Sequence, residues 1–526
     1  MMTPLPPLLV GLPEGPGEPG PTEPFPDRRA DARPPLDRWL PLAAALLSLL
    51  VRAPLATRLP PTWDSVQYVL GVLHYDVALH QPHPPGYFLY VFAAKLLHLL
   101  GLSPYAALVA LSLLGGAGLV ALLTAWAGQW GGRGAAITAA VLTILSPLAW
   151  NAATTGDTYA VSGCLSALVG YLCWRLYTRP GESAVPAALA LGVAGGMRPT
   201  DALFLLPLWL LSTGRRGGRA LLVGIVTLAA ATAAWVLPLL QSTGGLQHYR
   251  EISHHLSAAV LQVSPLAAGA DRLGVHLGLL GVAAGSLLFA GWVLVPFTGG
   301  EPLRRARLFL VIWAAPALLF YLSVHMGVVG YLMLPAPPLL LLAALGGGRI
   351  VERSAPGRAV PLLVIVAGLN LLFLVNAVVE AQREQAKCFD EITSGCSREL
   401  GPDTVVLATR GGGPGGHGEL PYRTAMYLLP QSRVFLFPLE SAGPEGGVPN
   451  AGQNLESSIV TAPLRLTGVR KLLLTGPSLR ADLPPGTLLR EVVSNPEGQI
   501  SEVLLEPQTP LVLGPGPRLS FRAIAP

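Results

Sequence analysis

From Trp39 to Val379 the sequence is a succession of apolar runs, most of them as long as a membrane-crossing helix, separated by short connections that carry arginines. An α-helix rises about 1.5 Å per residue, so roughly 20 apolar residues cross a bilayer core. Lipid offers no partner to a free backbone N–H or C=O, which leaves packed helices as the structure such runs can form. Spans are expected near 39–57, 105–128, 135–150, 159–177, 184–197, 200–213, 219–240, 273–297, 308–324, 331–347 and 359–379, about eleven in all. Composition agrees: 12% of residues are charged, against about 25% in soluble domains.

The connections fall into two sets. One carries Arg133; Arg175 and Arg179; Arg215, Arg216 and Arg219; Arg304, Arg305 and Arg307; and Arg349, Arg353 and Arg358. With the arginines of the N-terminus, these mark the cytoplasmic side. The formal net charge of +5 therefore reflects topology, because the cations line no single face that a nucleic acid could follow. The opposite set, 58–104, 151–158, 198–199, 241–272, 325–330 and all beyond 380, is richer in Asp, His, Tyr and Trp up to residue 380. The run 86–101 is apolar enough to span, but Lys95 and His98 interrupt it, and counting it would invert every later loop. It is assigned as an interfacial helix.

Residues 1–36 are dense in Pro and Gly and are expected to be a disordered cytoplasmic N-terminus, followed by an uncleaved first span. Residues 37–380 form the transmembrane domain, with 58–104 as its first extracytoplasmic loop, and 381–526 a small extracytoplasmic α/β domain. In that domain 404–409, 433–437 and 471–475 read as strands and 421–429 as a short helix. The glycine-rich stretch 411–416 lacks the Gly-Lys-Ser/Thr ending of a phosphate loop and reads as a flexible connection. Cys164 and Cys173 are packing residues inside an apolar run, and pairing of Cys388 with Cys396 is left open.

Charge is scarce, so the residues 61–68 (Pro-Thr-Trp-Asp-Ser-Val-Gln-Tyr) and 80–87 (His-Gln-Pro-His-Pro-Pro-Gly-Tyr) stand out. Asp64 lies just past the outer end of the first span, between Trp63 and Tyr68, where a carboxylate can take a proton from a hydroxyl arriving from water. A solvated loop carboxylate is the plainer reading. Asp76 is a second carboxylate or a loop hydrogen-bond acceptor, and Asp157 a second acid at the site or the N-cap of the next helix. His83 donates to a phosphate or orients Asp64, or else simply caps the helix after Pro85. Arg198 breaks the positive-inside pattern and needs an anionic partner, either a lipid phosphate or Asp201. Arg250 sits on an amphipathic stretch suited to covering an acceptor or to anchoring at the interface, and His325 and Tyr331 flank an outer helix end. The residues fix no cofactor. His74, His80, His83 and Asp76 match no strong ligand spacing, and a divalent metal stays open.

Asp64, then His83-Pro84-Pro85-Gly86-Tyr87, then Ser146-Pro147 and Trp150 with Asp157 and Tyr159, and a late Tyr331 before Leu334-Pro335, is an order that resembles the GT-C glycosyltransferases. Within them it is most similar to the protein O-mannosyltransferase and aminoarabinose transferase superfamily, including a bacterial branch with a His-Pro-Pro-Gly-Tyr motif, over roughly residues 39–350. The resemblance implies an α-helical GT-C membrane enzyme of the plasma (inner) membrane. Its reaction would be an inverting transfer of sugar from a polyprenyl-phosphate donor to a protein, lipid or polysaccharide acceptor on the outer face. Asp64 matches the family's first-loop aspartate, the base or the acceptor-orienting residue. Many relatives have an acidic pair there, whereas Ser65 follows Asp64 here, which leaves Asp157 or Asp76 as the second carboxylate. Arg198, Arg250, His325 or Tyr331 would then meet the departing phosphate, with His83, Tyr87 and Tyr159 lining the substrate site. A transporter or flippase for lipid-linked glycans is the alternative, although its usual repeated halves and mid-bilayer charges are not evident.

Overall fold

The computed structural model describes residues 35–262 apart from 79, then 301–324, 328–353, 356–409, 418–437, 464–505, 511–513, 519–520 and a few isolated positions between 263 and 300. Residues 1–34 of the N-terminal stretch expected to be disordered, most of the expected span 273–297, His325 and the glycine-rich stretch 411–416 lie outside the described residues, while residues 35 and 36 of that stretch begin a helix.

Helix α1 (Pro35–Arg52) is followed by a short turn, then α2 (Trp63–Leu73), α3 (Phe88–Leu99) and the long α4 (Pro104–Leu145). Its two arms reverse at Gly132, whose φ of 72° belongs to the left-handed region open to glycine. A Cβ added at Gly128 would lie 3.2 Å from the Cβ of Ala136, whereas residues eight apart in one straight helix are about 12 Å apart. The arms thus fold back on each other with Arg133 at the tip; the first holds the expected span 105–128, and the second ends at Leu145, so the expected span 135–150 is broken at Ser146 before α5.

Next come α5 (Pro147–Thr154), α6 (Tyr159–Thr178), α7 (Val185–Met197), α8 (Pro199–Gly214), α9 (Gly218–Ser242) and α10 (Leu246–Gln262), then α11 (Glu301–Ser323) and α12 (Ala336–Arg353). Ser103-Pro104 and Ser146-Pro147 begin α4 and α5 in the same way, the serine hydroxyl accepting an early N–H and the proline filling a position that needs none. Helix α13 (Pro356–Leu374) passes through a π turn at Val375–Val379 into α14 (Glu380–Cys396) without a loop. Among the described residues six helices are long and apolar enough to cross a membrane. Helices α3 and α7 are apolar but shorter, α3 being the 12-residue helix expected at the interface.

The membrane core is an aromatic and aliphatic cluster of α4, α6, α8, α11 and α12, in which Trp126 stacks on Trp313 with centroids 5.3 Å apart. Arg52, at the end of α1, is buried against the far end of α4 and donates to the main-chain oxygens of Thr143 (2.8 Å) and Ile144 (3.1 Å). Those carbonyls end a helix and have no intrahelical donor, so the guanidinium takes that role.

Beyond α14 a five-stranded sheet has the order β2-β1-β4-β6-β5, from β1 (Thr404–Ala408), β2 (Arg433–Leu436), β4 (Lys471–Leu474), β5 (Leu489–Asn495) and β6 (Gly498–Val503). Strand β1 is parallel to both β2 and β4, and β6 runs antiparallel to β4. Val406 and Ala408 face one cluster, with α14 and α15 (Tyr422–Leu428), while Val405 and Leu407 face another, which is the period-two alternation of a doubly covered strand. A second sheet joins β3 (Leu464–Leu466), β7 (Leu511–Leu513) and β8 (Leu519–Ser520). Cys388 and Cys396 are both free. They lie eight residues apart on α14, about 12 Å along its axis, too far for a disulfide.

Candidate active site

The site begins at the N-terminus of α2. Thr62 caps the helix, its Oγ1 accepting from Ser65 N (3.0 Å) while Ser65 Oγ accepts from Thr62 N (3.0 Å). This reciprocal cap sets the direction of the first turn and places Asp64 in it, where the helix's positive end favours a carboxylate. The Asp64 side chain keeps about a third of its surface exposed (34%), so an incoming hydroxyl can reach it.

His83 faces Asp64, with Nδ1 at 3.8 Å from Oδ1. The same nitrogen is 2.5 Å from Gln67 Oε1, and Nε2 is 3.2 Å from the Tyr87 hydroxyl. The imidazole is thus held at both nitrogens rather than used as a helix cap. Burial pushes its protonation below the ordinary histidine range, opposed by Asp64 and reinforced by the positive charge of Arg198. Tyr87 itself stands before α3 in the left-handed region, φ 43°, an unusual conformation for a bulky residue. The ring of Tyr68 packs on those of Tyr87 (5.1 Å) and Tyr90 (5.3 Å), and the Tyr75 hydroxyl donates to Gly86 O (2.8 Å). The turn that presents His83 and Tyr87 is braced from both sides.

Asp157 lies in the short connection between α5 and α6 and is buried (5% exposed). It does not cap α6, since Thr158 holds that position without a side-chain bond. Its Oδ1 is instead 3.3 Å from Thr62 Oγ1, and its main-chain oxygen accepts from Ser112 Oγ (3.0 Å). Burial first, and then the charge of Asp64, raise its carboxyl to about 7. One carboxylate is open to solvent, the other enclosed and ready to hold a proton, and the Thr62 cap touches both segments.

Arg198, between α7 and α8, is also buried (5% exposed). Its guanidinium lies over the rings of Tyr331 (4.6 Å) and Tyr159 (5.1 Å), and Nε is 3.9 Å from Asp201 Oδ1. Of the anionic partners considered from the sequence, Asp201 lies along one edge, and Nη1 is buried with no hydrogen-bond partner. Tyr321 stacks on Tyr331 (5.1 Å) and completes an aromatic wall.

The remaining candidates lie apart from these contacts. Asp76 closes its own loop, its main chain paired with Gln81 (2.7 and 2.8 Å) and its Oδ1 accepting from Ala78 N (2.9 Å). Arg250 is exposed on α10, whose neighbouring Tyr249 hydroxyl donates to Pro85 O (3.2 Å). Among the described residues no three His, Cys, Asp or Glu side chains gather as metal ligands would. Thr62, Gln67 and Tyr321 were not singled out from the sequence. Gln67 had a signal, being three residues after Asp64 and so on the same helical face; Thr62 and Tyr321 act over distances no local pattern reveals.

No family model matches the sequence, nor does any curated protein. Among solved structures, ArnT from Cupriavidus metallidurans bound to undecaprenyl phosphate superposes with a TM-score of 0.58 at 12% identity, covering 88% of this chain and 97% of ArnT. The apo state of the same protein gives 0.54 at 14% identity, with the same coverage. The oligosaccharyltransferase AglB from Archaeoglobus fulgidus, in complex with an inhibitory peptide and a dolichol-phosphate, covers 84% of this chain and 70% of its own at 13% identity, with a TM-score of 0.46. The chain is an α-helical membrane protein of the GT-C fold, similar to ArnT over nearly its whole length and carrying a small α/β domain after its last long helix.

Proposed function

We propose that this protein is an integral membrane glycosyltransferase that moves a sugar from a polyprenyl-phosphate donor to an acceptor hydroxyl on the extracytoplasmic face. The observation that carries the reading is the presence, in one site, of an accessible carboxylate, Asp64, and a buried arginine, Arg198, that keeps an unpartnered N–H. The two belong to one cluster, since His83 feels the charge of both. The fold it shares with ArnT, a protein seen bound to undecaprenyl phosphate, supports a donor of that class.

In this reading the acceptor hydroxyl gives its proton to Asp64 as its oxygen attacks the sugar's anomeric carbon. The bond from that carbon to the phosphate oxygen breaks, and the electron pair leaves with the polyprenyl phosphate. Arg198 donates to that phosphate as its charge grows, in a site shielded from water where such a donor counts most. Displacement from the opposite face inverts the anomeric centre. Asp157 holds its proton and keeps a second negative charge away from the leaving phosphate, with Thr62 linking it to the α2 cap. His83, neutral, orients Asp64 and the Tyr87 hydroxyl. The acidic rim, the aromatic first loop and the C-terminal domain then lie outside the plasma membrane, with the arginine clusters in the cytoplasm.

The test is transfer of radiolabelled sugar from a panel of polyprenyl-phosphate donors in membranes containing wild type or Asp64→Asn. Label reaching an acceptor with wild type, and nearly none with the folded variant, supports the reading. Equal transfer by both removes Asp64 as the base. Movement of the donor across vesicles without any transfer would favour a flippase.

A further inference from the structure

Helix α14 joins the last long membrane helix to the C-terminal domain, and its first turns lie against both loops of the candidate site. Gln382 and Gln385 are three residues apart and so share one face of it. Gln382 Nε2 donates to Asn151 Oδ1 (2.9 Å) and lies 3.1 Å from Thr154 Oγ1, at the end of α5 just before Asp157. Gln385 Nε2 donates to the main-chain oxygen of Pro61 (3.3 Å), next to the Thr62 cap, and lies 3.4 Å from Glu497 Oε2 in the turn between β5 and β6. Further along, Phe389, Ile392 and Cys396 of the same helix are buried in the core of the C-terminal domain. The Asn495 side chain of that domain also donates to Cys388 O (3.0 Å). Trp63, adjacent to Asp64, meets Tyr422 of the domain with ring centroids 6.2 Å apart.

We infer that Gln382 and Gln385 are positioning residues through which the seated C-terminal domain holds the Asp64 loop and the Asp157 loop in register. Neither glutamine reaches the reacting atoms; each acts through the loop it holds. The amide suits this place because it donates to oxygens of both loops, and to Glu497, without itself adding a charge. A carboxylate at Gln385 would donate nothing and would repel Glu497, and an ammonium would bring a new positive charge to the two loops. The loops are already stitched to each other by Thr57, whose N–H (2.9 Å) and hydroxyl (3.0 Å) both donate to Thr154 O. The glutamines therefore set the fine spacing rather than the connection itself. The inference rests on Asp64 and Asp157 being the working pair proposed above.

The experiment uses the full chain with Gln382→Ala and Gln385→Ala together, and two readouts. The first is kcat and KM in the sugar-transfer assay. The second needs no activity: the infrared carboxyl band of Asp157, assigned by its loss in Asp157→Asn and titrated with pH. The double variant should lose roughly ten- to hundred-fold in kcat, the scale on which small misplacements act, with KM for the donor little changed. Its Asp157 titration should move down toward the ordinary carboxylate range as the loops part and water enters. Gln385→His, which keeps a neutral N–H donor, should retain most of the rate, and Gln385→Glu should not. An unmoved titration overturns the inference, as does a moved one with unchanged kcat. If wild type transfers no sugar from any donor, the transferase reading fails and the titration alone decides whether the glutamines hold the loops.

Discussion

Thr62 Oγ1 stands 3.3 Å from the carboxylate of Asp157, 95 residues away in sequence, while the same oxygen caps the helix that carries Asp64. A single hydroxyl thus joins the two acidic segments. Asp157 in this enclosure holds its proton to about 7, against an ordinary value of 3.8.

A carboxyl whose protonation is raised by folding binds its proton more tightly in the folded chain. Its stabilising contribution is complete below about 3.8 and is lost as pH rises through about 7. Unfolding in detergent, followed from pH 4 to pH 8, should show wild type losing stability across that interval, with a slope approaching about 1.4 kcal/mol per pH unit. In Asp157→Asn that part of the slope should vanish. A wild type and variant with parallel profiles would show that Asp157 titrates normally.

Asp64→Asn keeps the shape and the α2 cap but cannot accept a proton. The transfer rate should fall by roughly 10²–10⁴, the usual worth of a general base, with donor affinity preserved. Measurement of kcat beside direct binding of the polyprenyl phosphate separates the two effects.

Removing Arg198 alone leaves Asp201 buried with no cation, at a cost of about 3–5 kcal/mol. Arg198→Ala should therefore unfold at markedly lower temperature than Arg198→Ala with Asp201→Ala. Both should bind polyprenyl phosphate weakly, because the guanidinium is missing from each. A double variant with wild-type affinity would remove Arg198 from the phosphate site.

Arg52→Met retains much of the side chain's volume but strands the carbonyls of Thr143 and Ile144. Each buried acceptor left without a donor costs about 1–3 kcal/mol. Thermal unfolding should register that loss; a variant as stable as wild type would show that the two carbonyls find other donors.

Asp64, His83, Asp157 and Arg198 stood out in the sequence because a charge or imidazole at the rim of an apolar bundle needs a reason to be there. The α3 helix was legible from its interrupted apolar run, and strands β1, β2 and β4 from short runs bounded by polar residues. Strands β5 and β6 were harder to see: β5 is largely exposed, and its Leu489-Arg490-Glu491 start mixes apolar and charged positions. Nor could any local pattern reveal that Thr62 meets Asp157, that Gln382 and Gln385 straddle two loops, or that Tyr321 backs Tyr331. Those contacts depend on how the helices pack, and a lone polar residue carries no mark of a partner far along the chain.

The position of Arg198 between the rings of Tyr159 and Tyr331 sets an order of events during synthesis. Arg198 leaves the ribosome long before Tyr331 exists, so the cation must enter the membrane region with its aromatic surroundings half built. Asp201, one helical turn away, emerges almost with it and can neutralise it at once. The weakly aligned ion pair of the finished protein is thus also the insertion partner of an arginine whose aromatic wall is completed only when Tyr331 has been made.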